Sequence, residues 1–402
     1  PAGLMAAEVL ATAGVSVTVF EHMPSVGRKL LLAGRSGLNI THSESFDDLL
    51  ARYGDHADRL RPALQAFGPA ELRSWCASLD EPTFVGSTGQ VFPASFRATP
   101  LLRAWLARLN RLGVKIETRH RWLGWARSAE GQIDAHRSVF SRLDGSTVEV
   151  ASEVTLLALG GASWPRVGSD GGWVDVFRDA GVEVSDLRPA NCGIRIGWTD
   201  HFTERFDGVP LKNIAIEVGD TSVRGDATIT RQGMEGGPVY TQSATIRDTI
   251  DRDGRCAVWV DLRPDLSVQR LTERLARRRP KDSLATSLRR TIQLSAVSAS
   301  LLREATGNRI PTDSTELAAL VKTVPLIVEA MMPIERAIST AGGVRLEELS
   351  DSFMLHRLPG TFLAGEMLDW EAPTGGYLLQ ASFSTAVAGA RGALAWIDSQ
   401  GR

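Results

Sequence analysis

The order of elements in the first 21 residues, PAGLMAAEVLATAGVSVTVFE, constrains the fold most. Residues 4–13 read as a compact, alanine-rich helix that Gly14 ends, and residues 15–20 read as a buried, β-branched strand. Glu21 stands at the end of that strand. Set against the fingerprint G-x-G-x-x-G, Gly3 takes the place of the third glycine, with Pro1 and Ala2 as the two variable positions before it. The first two glycines and the first strand are then expected ahead of Pro1, and the chain as given is expected to bind its nucleotide poorly. Glu21 follows Gly3 by 18 residues, close to where an acid binds a ribose hydroxyl. The third glycine permits close helix–strand packing, and the helix N-terminus offers free N–H groups to a pyrophosphate. These residues alone fit an ordinary helix and strand equally well.

The next stretch, GRKLLLAGRSGLNITHSE over residues 27–44, favours the nucleotide reading. Gly27, Gly34 and Gly37 space out a loop that carries Arg28, Lys29 and Arg35 for charge and Ser36, Asn39 and Thr41 as side-chain donors. A loop that neutralises a pyrophosphate needs these ingredients. A solvated turn is the plain alternative, and the position directly after the acid-ended strand argues against it.

Further along, residues 46–79 read as helical with a break near Phe67-Gly68-Pro69, and residues 84–95 as a hairpin turning near residues 87–89. TPLLRAWLARLNRLG is an amphipathic helix with Leu101, Leu102, Trp105, Leu106, Leu109 and Leu112 on one face, Pro100 at its first position and Gly113 as its stop. VKIETR, WLGWAR, a strand near residues 132–138 and STVEVASEVTLLALGG suit a meander that leaves a Rossmann sheet and returns to it. That last strand, residues 154–159, runs straight into Gly160 and Gly161, where open α/β sheets bind ligands. From about Cys192 to Leu262 short alternating β segments appear; residues 263 to about 331 then read as helical. The C-terminal part returns to α/β, with a strand entering Gly365-Glu366 and the pair Gly375-Gly376 opening a long small-residue helix.

The formal net charge of −2 provides no global field toward nucleic acid or anionic membrane. The three cysteines form no C-x-x-C pair, which excludes a flavin–disulfide relay built on that motif and fits a reducing cytosol. No apolar run approaches membrane-spanning length. The expected location is cytoplasmic, with no membrane partner. Arg277, Arg278, Arg279, Lys281, Arg289 and Arg290 form a basic helical stretch without interleaved aromatics, read as a solvated face, so nucleic acid is not the expected partner.

Together, PAGLMAAE, GRKLLLAGRSGLNITHSE, GQVFPASFRAT, LLALGGASWPRVGSDG, MEGGPVY, STAGGV and LAGEMLDWEAPTGGYLLQASFS, in that order over nearly the whole chain, resemble the bacterial HI0933-like flavoproteins, also called the BaiN/RdsA family of NAD(P)/FAD-dependent oxidoreductases. The resemblance implies an α/β fold: a Rossmann-like, glutathione-reductase-type FAD-binding domain interrupted by a β-rich, barrel-like insert and a helical insert. The corresponding segments are 1–190 and 336–402 for the FAD domain, 191–262 for the β-rich insert and 263–335 for the helical one. It implies FAD as cofactor, a small-molecule substrate, and nicotinamide as a transient electron donor only, since no second G-x-G-x-x-G is present.

By position, the resemblance places Ala2 and Gly3 in the FAD fingerprint, Glu21 as the ribose acid, and Arg28 and Lys29 as the basic pair after it. Gly34, Ser36, Gly37, Leu38 and Asn39 match the loop that passes the pyrophosphate and reaches the flavin. The Trp122 backbone would meet adenine, and Gly160 and Gly161 form the strand-end loop. Gly365 and Glu366, followed by Asp369, fall near the ribityl chain, and Gly375, Gly376, Tyr377 and Leu378 supply helix-start amides near the flavin pyrimidine. Many relatives carry Arg-Cys where this chain has Gly37-Leu38, so a thiol beside the flavin is absent. No catalytic residue and no metal site is assigned; Arg97, Glu235, Tyr240 and Glu371 are candidate substrate-side groups. The expected activity is hydride transfer between FAD and a small organic substrate. Flavin-dependent nucleic-acid modification through the basic stretch, or a non-catalytic flavin or nucleotide sensor, are the alternatives.

Overall fold

A computed structural model describes residues 1–35, 37–279 and 281–401. The chain divides into two compact units, one made of Pro1–Arg188 with Ser339–Arg402 and the other of Pro189–Ile338.

The first unit is built on two parallel strand pairs. Thr18–Glu21 pairs with Lys115–Thr118, placing Glu21 opposite Thr118, and Thr155–Leu157 pairs with Thr361–Leu363. Parallel neighbours require long crossovers. The first of these carries helix Ala98–Arg111, and the second spans about half of the sequence. The first strand begins later than residues 15–20 suggest, because the Val15 amide is spent on the helix end, donating to the Leu10 carbonyl at 3.2 Å. Helix Ala2–Thr12 packs against the long helix Tyr377–Gln400 through Ala6, Ala7, Phe383, Ala386 and Ala390, all buried. Small residues let the two backbones approach, and full burial of a side chain such as Phe383 stabilises the contact by roughly 1.5–3 kcal/mol.

Residues 46–79 form three helices, Phe46–Ala51, Ala57–Ala66 and Pro69–Ala77, so a second break at residues 52–56 accompanies the expected one. The hairpin is Thr83–Val85 with Gln90–Pro93, and Thr41–His42 joins its second strand. In helix Ala98–Arg111 Pro100 is the third residue, not the first, because Arg97 is the extended N-cap; its missing N–H is harmless anywhere in the first turn. His120–Arg127, Ile133–Arg142 and Thr147–Ala151 form the antiparallel meander, after which Thr155–Leu157 re-enters the parallel layer. Val184–Ala190 pairs with Ser339–Val344.

The second unit holds a seven-stranded antiparallel sheet in the order Val324–Val328, Cys256–Asp261, Pro210–Val218, Thr221–Thr230, Gly233–Gly236, Ile194–Arg195 and Ala330–Met331. Helices Val268–Leu275, Leu284–Ile292, Ala296–Ala305 and Ser314–Lys322 place Leu271, Leu288, Leu301 and Val321 in the same core as Ile214, Ile216, Val258 and Val260. The β-rich and helical stretches therefore bury each other's apolar faces.

Candidate functional site

Helix Ala2–Thr12 starts without a side-chain cap and with no acid in its first turn. Its first N–H groups have no partner within the helix, and they carry its positive dipole end. The start lies at the carboxyl ends of the second parallel pair. A Cβ on Gly3 would sit 3.5 Å from Ala158, just beyond Thr155–Leu157, and one on Gly365, just beyond Thr361–Leu363, would sit 2.9 Å from Ala2.

Beside it three distant segments converge on one carboxylate. Glu366 Oε2 lies 2.5 Å from Lys29 Nζ and accepts from the Gly161 amide at 3.4 Å, while Oε1 accepts from the Thr340 amide at 3.2 Å. Lys29 also donates to Ser163 Oγ at 2.8 Å and Ser169 Oγ at 3.4 Å. Thr340 Oγ1 accepts from the amides of Ala162 (2.9 Å) and Ser163 (3.2 Å), and any side chain on Gly161 would overlap it. Gly160 is fixed by Trp173, whose Nε1 donates to its carbonyl at 2.8 Å.

Glu21 Oε1 accepts from the Met23 amide at 2.8 Å; Oε2 makes no hydrogen bond among the described residues. Arg28 donates to Ser25 Oγ at 3.2 Å, but its buried Nε has no partner among the described residues.

A second grouping surrounds residues 34, 35 and 37–39. A Cβ on Gly34 would lie 2.6 Å from that of Ala98, and Gly37, at φ +121°, is covered by the Phe96 ring. Buried Leu38 donates its amide to the Phe96 carbonyl at 3.3 Å, and Asn39 is half-buried. Ser36 lies outside the described residues. Gly376, at φ +104°, meets the Thr41 backbone so closely that a Cβ would lie 2.5 Å from its carbonyl oxygen. Thr41 Oγ1 is fully buried with no partner among the described residues. Gly375 packs against the Tyr377 ring, and Leu378 packs on the core beneath.

Tyr377 is held on several sides. Tyr53 Oη donates to its carbonyl at 2.9 Å, His42 stacks on its ring at 5.3 Å, and the Arg52 guanidinium lies 5.8 Å from the ring centre. Arg52 grips Glu44 at 2.7 and 3.3 Å. Burial disfavours the Glu44 charge, yet the bonds from Arg52 and Tyr377 outweigh it and hold the carboxyl below its ordinary range. Burial first, then the bond to Glu44 and its charge, push the Tyr377 phenol well up.

Two candidate residues stand apart from these groupings. Trp122 packs edge-on to Trp125 at 5.0 Å, within the meander. Asp369 accepts from Ser185 Oγ at 2.6 Å and, with His56, Asp186, Trp370 and Glu371, lines a cavity of about 470 Å³. Sequence reasoning missed Thr340, Ser163, Tyr53 and Arg52. Thr340 sits inside STAGGV and Ser163 directly after Gly160-Gly161-Ala162, so adjacency to glycine pairs was the available signal. Among the described residues no group of three or more His, Cys, Asp or Glu could hold a metal ion, and no helix is long and apolar enough to cross a membrane.

An uncapped helix start at parallel strand ends, an acid-ended strand after that helix and glycines where side chains would collide define the class: Rossmann-type FAD-dependent oxidoreductases. The chain belongs to the HI0933-like family, matching the HI0933-like protein Rossmann domain over residues 1–392. It is 27% identical over 415 residues to a 3-dehydro-bile acid delta(4,6)-reductase of Clostridium scindens, covering 97% of this chain and 96% of that protein. It is 23% identical over 393 residues to a ribosomal RNA dihydrouridine synthase of Haemophilus influenzae, covering 96% and 94%. Its fold resembles the crystal structure of a 3-ketosteroid delta1-dehydrogenase from Sterolibacterium denitrificans, with a TM-score of 0.55 at 13% identity over 98% of both chains.

Proposed function

We propose that the protein is an FAD-dependent oxidoreductase that moves hydride between the flavin and a small organic substrate. The observation that carries this is the uncapped start of helix Ala2–Thr12, set at parallel strand ends beside the Lys29–Glu366 cluster. The residues present fit FAD. Ala2 and Gly3 offer amides to a pyrophosphate, the orphaned Arg28 Nε is a donor that an anion would satisfy, and Glu21 keeps one carboxylate oxygen for a ribose hydroxyl. Lys29, Gly160, Gly161, Gly365 and Glu366 would line the ribityl side. Loop 34–39 and the amides of residues 375–378 would meet the ring; Trp122 and Asp369 lie outside these groupings and are kept at the adenine and ribityl ends on the family resemblance alone. FAD would supply the hydride chemistry; the chain would bind and orient it, with Lys29 held against Glu366 beside it. Nicotinamide would serve as a transient donor.

The test is the visible spectrum of the purified full-length protein. Flavin absorbance, as isolated or after incubation with FAD and desalting, is the expected result; a colourless protein under both conditions sinks the reading. Anaerobic bleaching by NADH or NADPH tests the donor. A second reading, nucleic-acid modification, draws on the exposed Arg277, Arg279 and Arg289 and on the name of the Haemophilus relative. It requires RNA binding that weakens with salt and is lost on changing residues 277–279 to Ala.

A further inference from the structure

Four side chains from residues 42–53 converge on one residue of the long helix, and the proposed function leaves them unused. Each part of Tyr377 has its own partner. Buried Tyr53 donates its phenol to the Tyr377 carbonyl at 2.9 Å. His42 stacks on the ring at 5.3 Å, and the Arg52 guanidinium lies 5.8 Å from the ring centre. Glu44 takes the phenol and is itself held by Arg52 through both oxygens, at 3.3 and 2.7 Å. The Glu44 amide donates to His42 Nδ1 at 3.3 Å, so the ring proton sits on Nε2, which donates to the Thr88 carbonyl at 3.0 Å.

The helix start has little of its own to fix it. Gly375 and Gly376 precede it at φ +131° and +104°, and no side chain caps it. Two successive glycines leave a backbone free to swing. Here the Tyr377 ring lies 3.0 Å from where a Cβ on Gly375 would stand, and the Thr41 backbone closes on Gly376. Holding the ring therefore holds the glycine pair. Thr41 also keeps a fully buried hydroxyl with no partner among the described residues, an unmet group of the kind a bound ligand or water satisfies. The helix body is anchored separately, by Phe383, Ala386 and Ala390 in the core, so folding does not by itself require the polar clamp.

We propose that Tyr377 is a positioning residue: the chain Arg52–Glu44–Tyr377 aims the N–H groups of residues 375–378 at the flavin and thereby sets its reduction potential. This rests on the reading that those amides meet the ring. Reduction adds negative charge to a flavin, and donors at a helix start stabilise that charge only while well aligned. Arg52 has a second part, neutralising Glu44, whose unpaired charge at this helix start would oppose reduction.

The test is the two-electron potential of the flavin-loaded protein, titrated anaerobically against dyes of known potential. Tyr377→Phe removes one oxygen and no charge. It is expected to disfavour the reduced flavin about tenfold, a shift of about 30 mV to more negative potential. Arg52→Gln, at a side chain 47% exposed, is expected to shift it the same way by at least as much. Adding Glu44→Gln to Arg52→Gln should recover part of that loss, since no charge is then left unpaired. A purely structural clamp would lower the thermal midpoint in all three variants and leave the potential where it was. The proposal is overturned by wild-type potentials in Tyr377→Phe and Arg52→Gln, by shifts to more positive values, or by a double variant no better than Arg52→Gln. Protein that stays colourless after incubation with FAD overturns the flavin reading as well; coloured protein with unchanged potentials overturns this inference alone.

Discussion

At Gly161 a hydrogen stands where any other residue would place a carbon inside Thr340, which is itself buried. Gly161→Ala is therefore expected to cost about 1–3 kcal/mol, read as a lowered thermal midpoint, and to loosen the Thr340–Glu366 junction. The glycine pair was legible in the sequence. Its partner was not, because Thr340 lies 178 residues from Ala162, which it binds, and no local pattern encodes that meeting. The three cysteines are buried and free; burial, with the Glu81 charge adding, pushes Cys76 up to about 12, and burial pushes Cys192 up to about 11. A thiol reagent at pH 8 is expected to label none of them in the native protein and all of them after denaturation. Rapid labelling of native protein would contradict this. Glu44 titrates below its ordinary value of 4.5 when folded. Its ionisation favours the folded state above that value, and the gain is lost as pH falls through the lower folded value. The difference in thermal midpoint between wild type and Glu44→Gln should thus be largest near neutral pH and shrink toward pH 3.

The long helix Tyr377–Gln400 contains two glycines that a propensity argument treats alike and the packing does not. A Cβ on Gly389 would find Leu156 at 3.4 Å and the Leu363 carbonyl at 3.5 Å, both ordinary contacts. Gly389→Ala should raise stability by up to about 1 kcal/mol, the helix-propensity gain. At Gly392 the same carbon would lie 2.5 Å from Ser352 Cβ and 3.0 Å from Phe362. Overpacking of about 1–3 kcal/mol exceeds the propensity gain there, so Gly392→Ala should destabilise. Paired thermal melts decide it; equal shifts would show that the packing against Ser352 yields. The helix itself was legible from its glycine start and run of small residues. The meaning of each interior glycine was not, since it depends on a loop at Ser352. The strand read at residues 15–20 shows the same limit: β-branched residues marked it, but the helix end claimed the Val15 amide.

Across the whole molecule, the change of character near Cys192 was visible because alternating β segments replace α/β ones. That the helices after Leu262 share a core with those strands was not visible, because an amphipathic helix announces a face and not its partner. Pro189–Ile338 has its own sheet and its own apolar core, so this segment expressed alone is expected to unfold in one cooperative transition and to bind no flavin. A molten, non-cooperative product would contradict this. The segment's ends meet: the Ile338 amide donates to the Asn191 carbonyl at 3.2 Å, and further down the stem Gly342 packs against Asp186. As one strand advances the other recedes, so the chain departs and returns through adjacent rungs of a single antiparallel ladder. Such a stem turns the segment into a cassette. Recombination can exchange, shorten or duplicate such a segment at its paired ends, which makes the two units separately heritable.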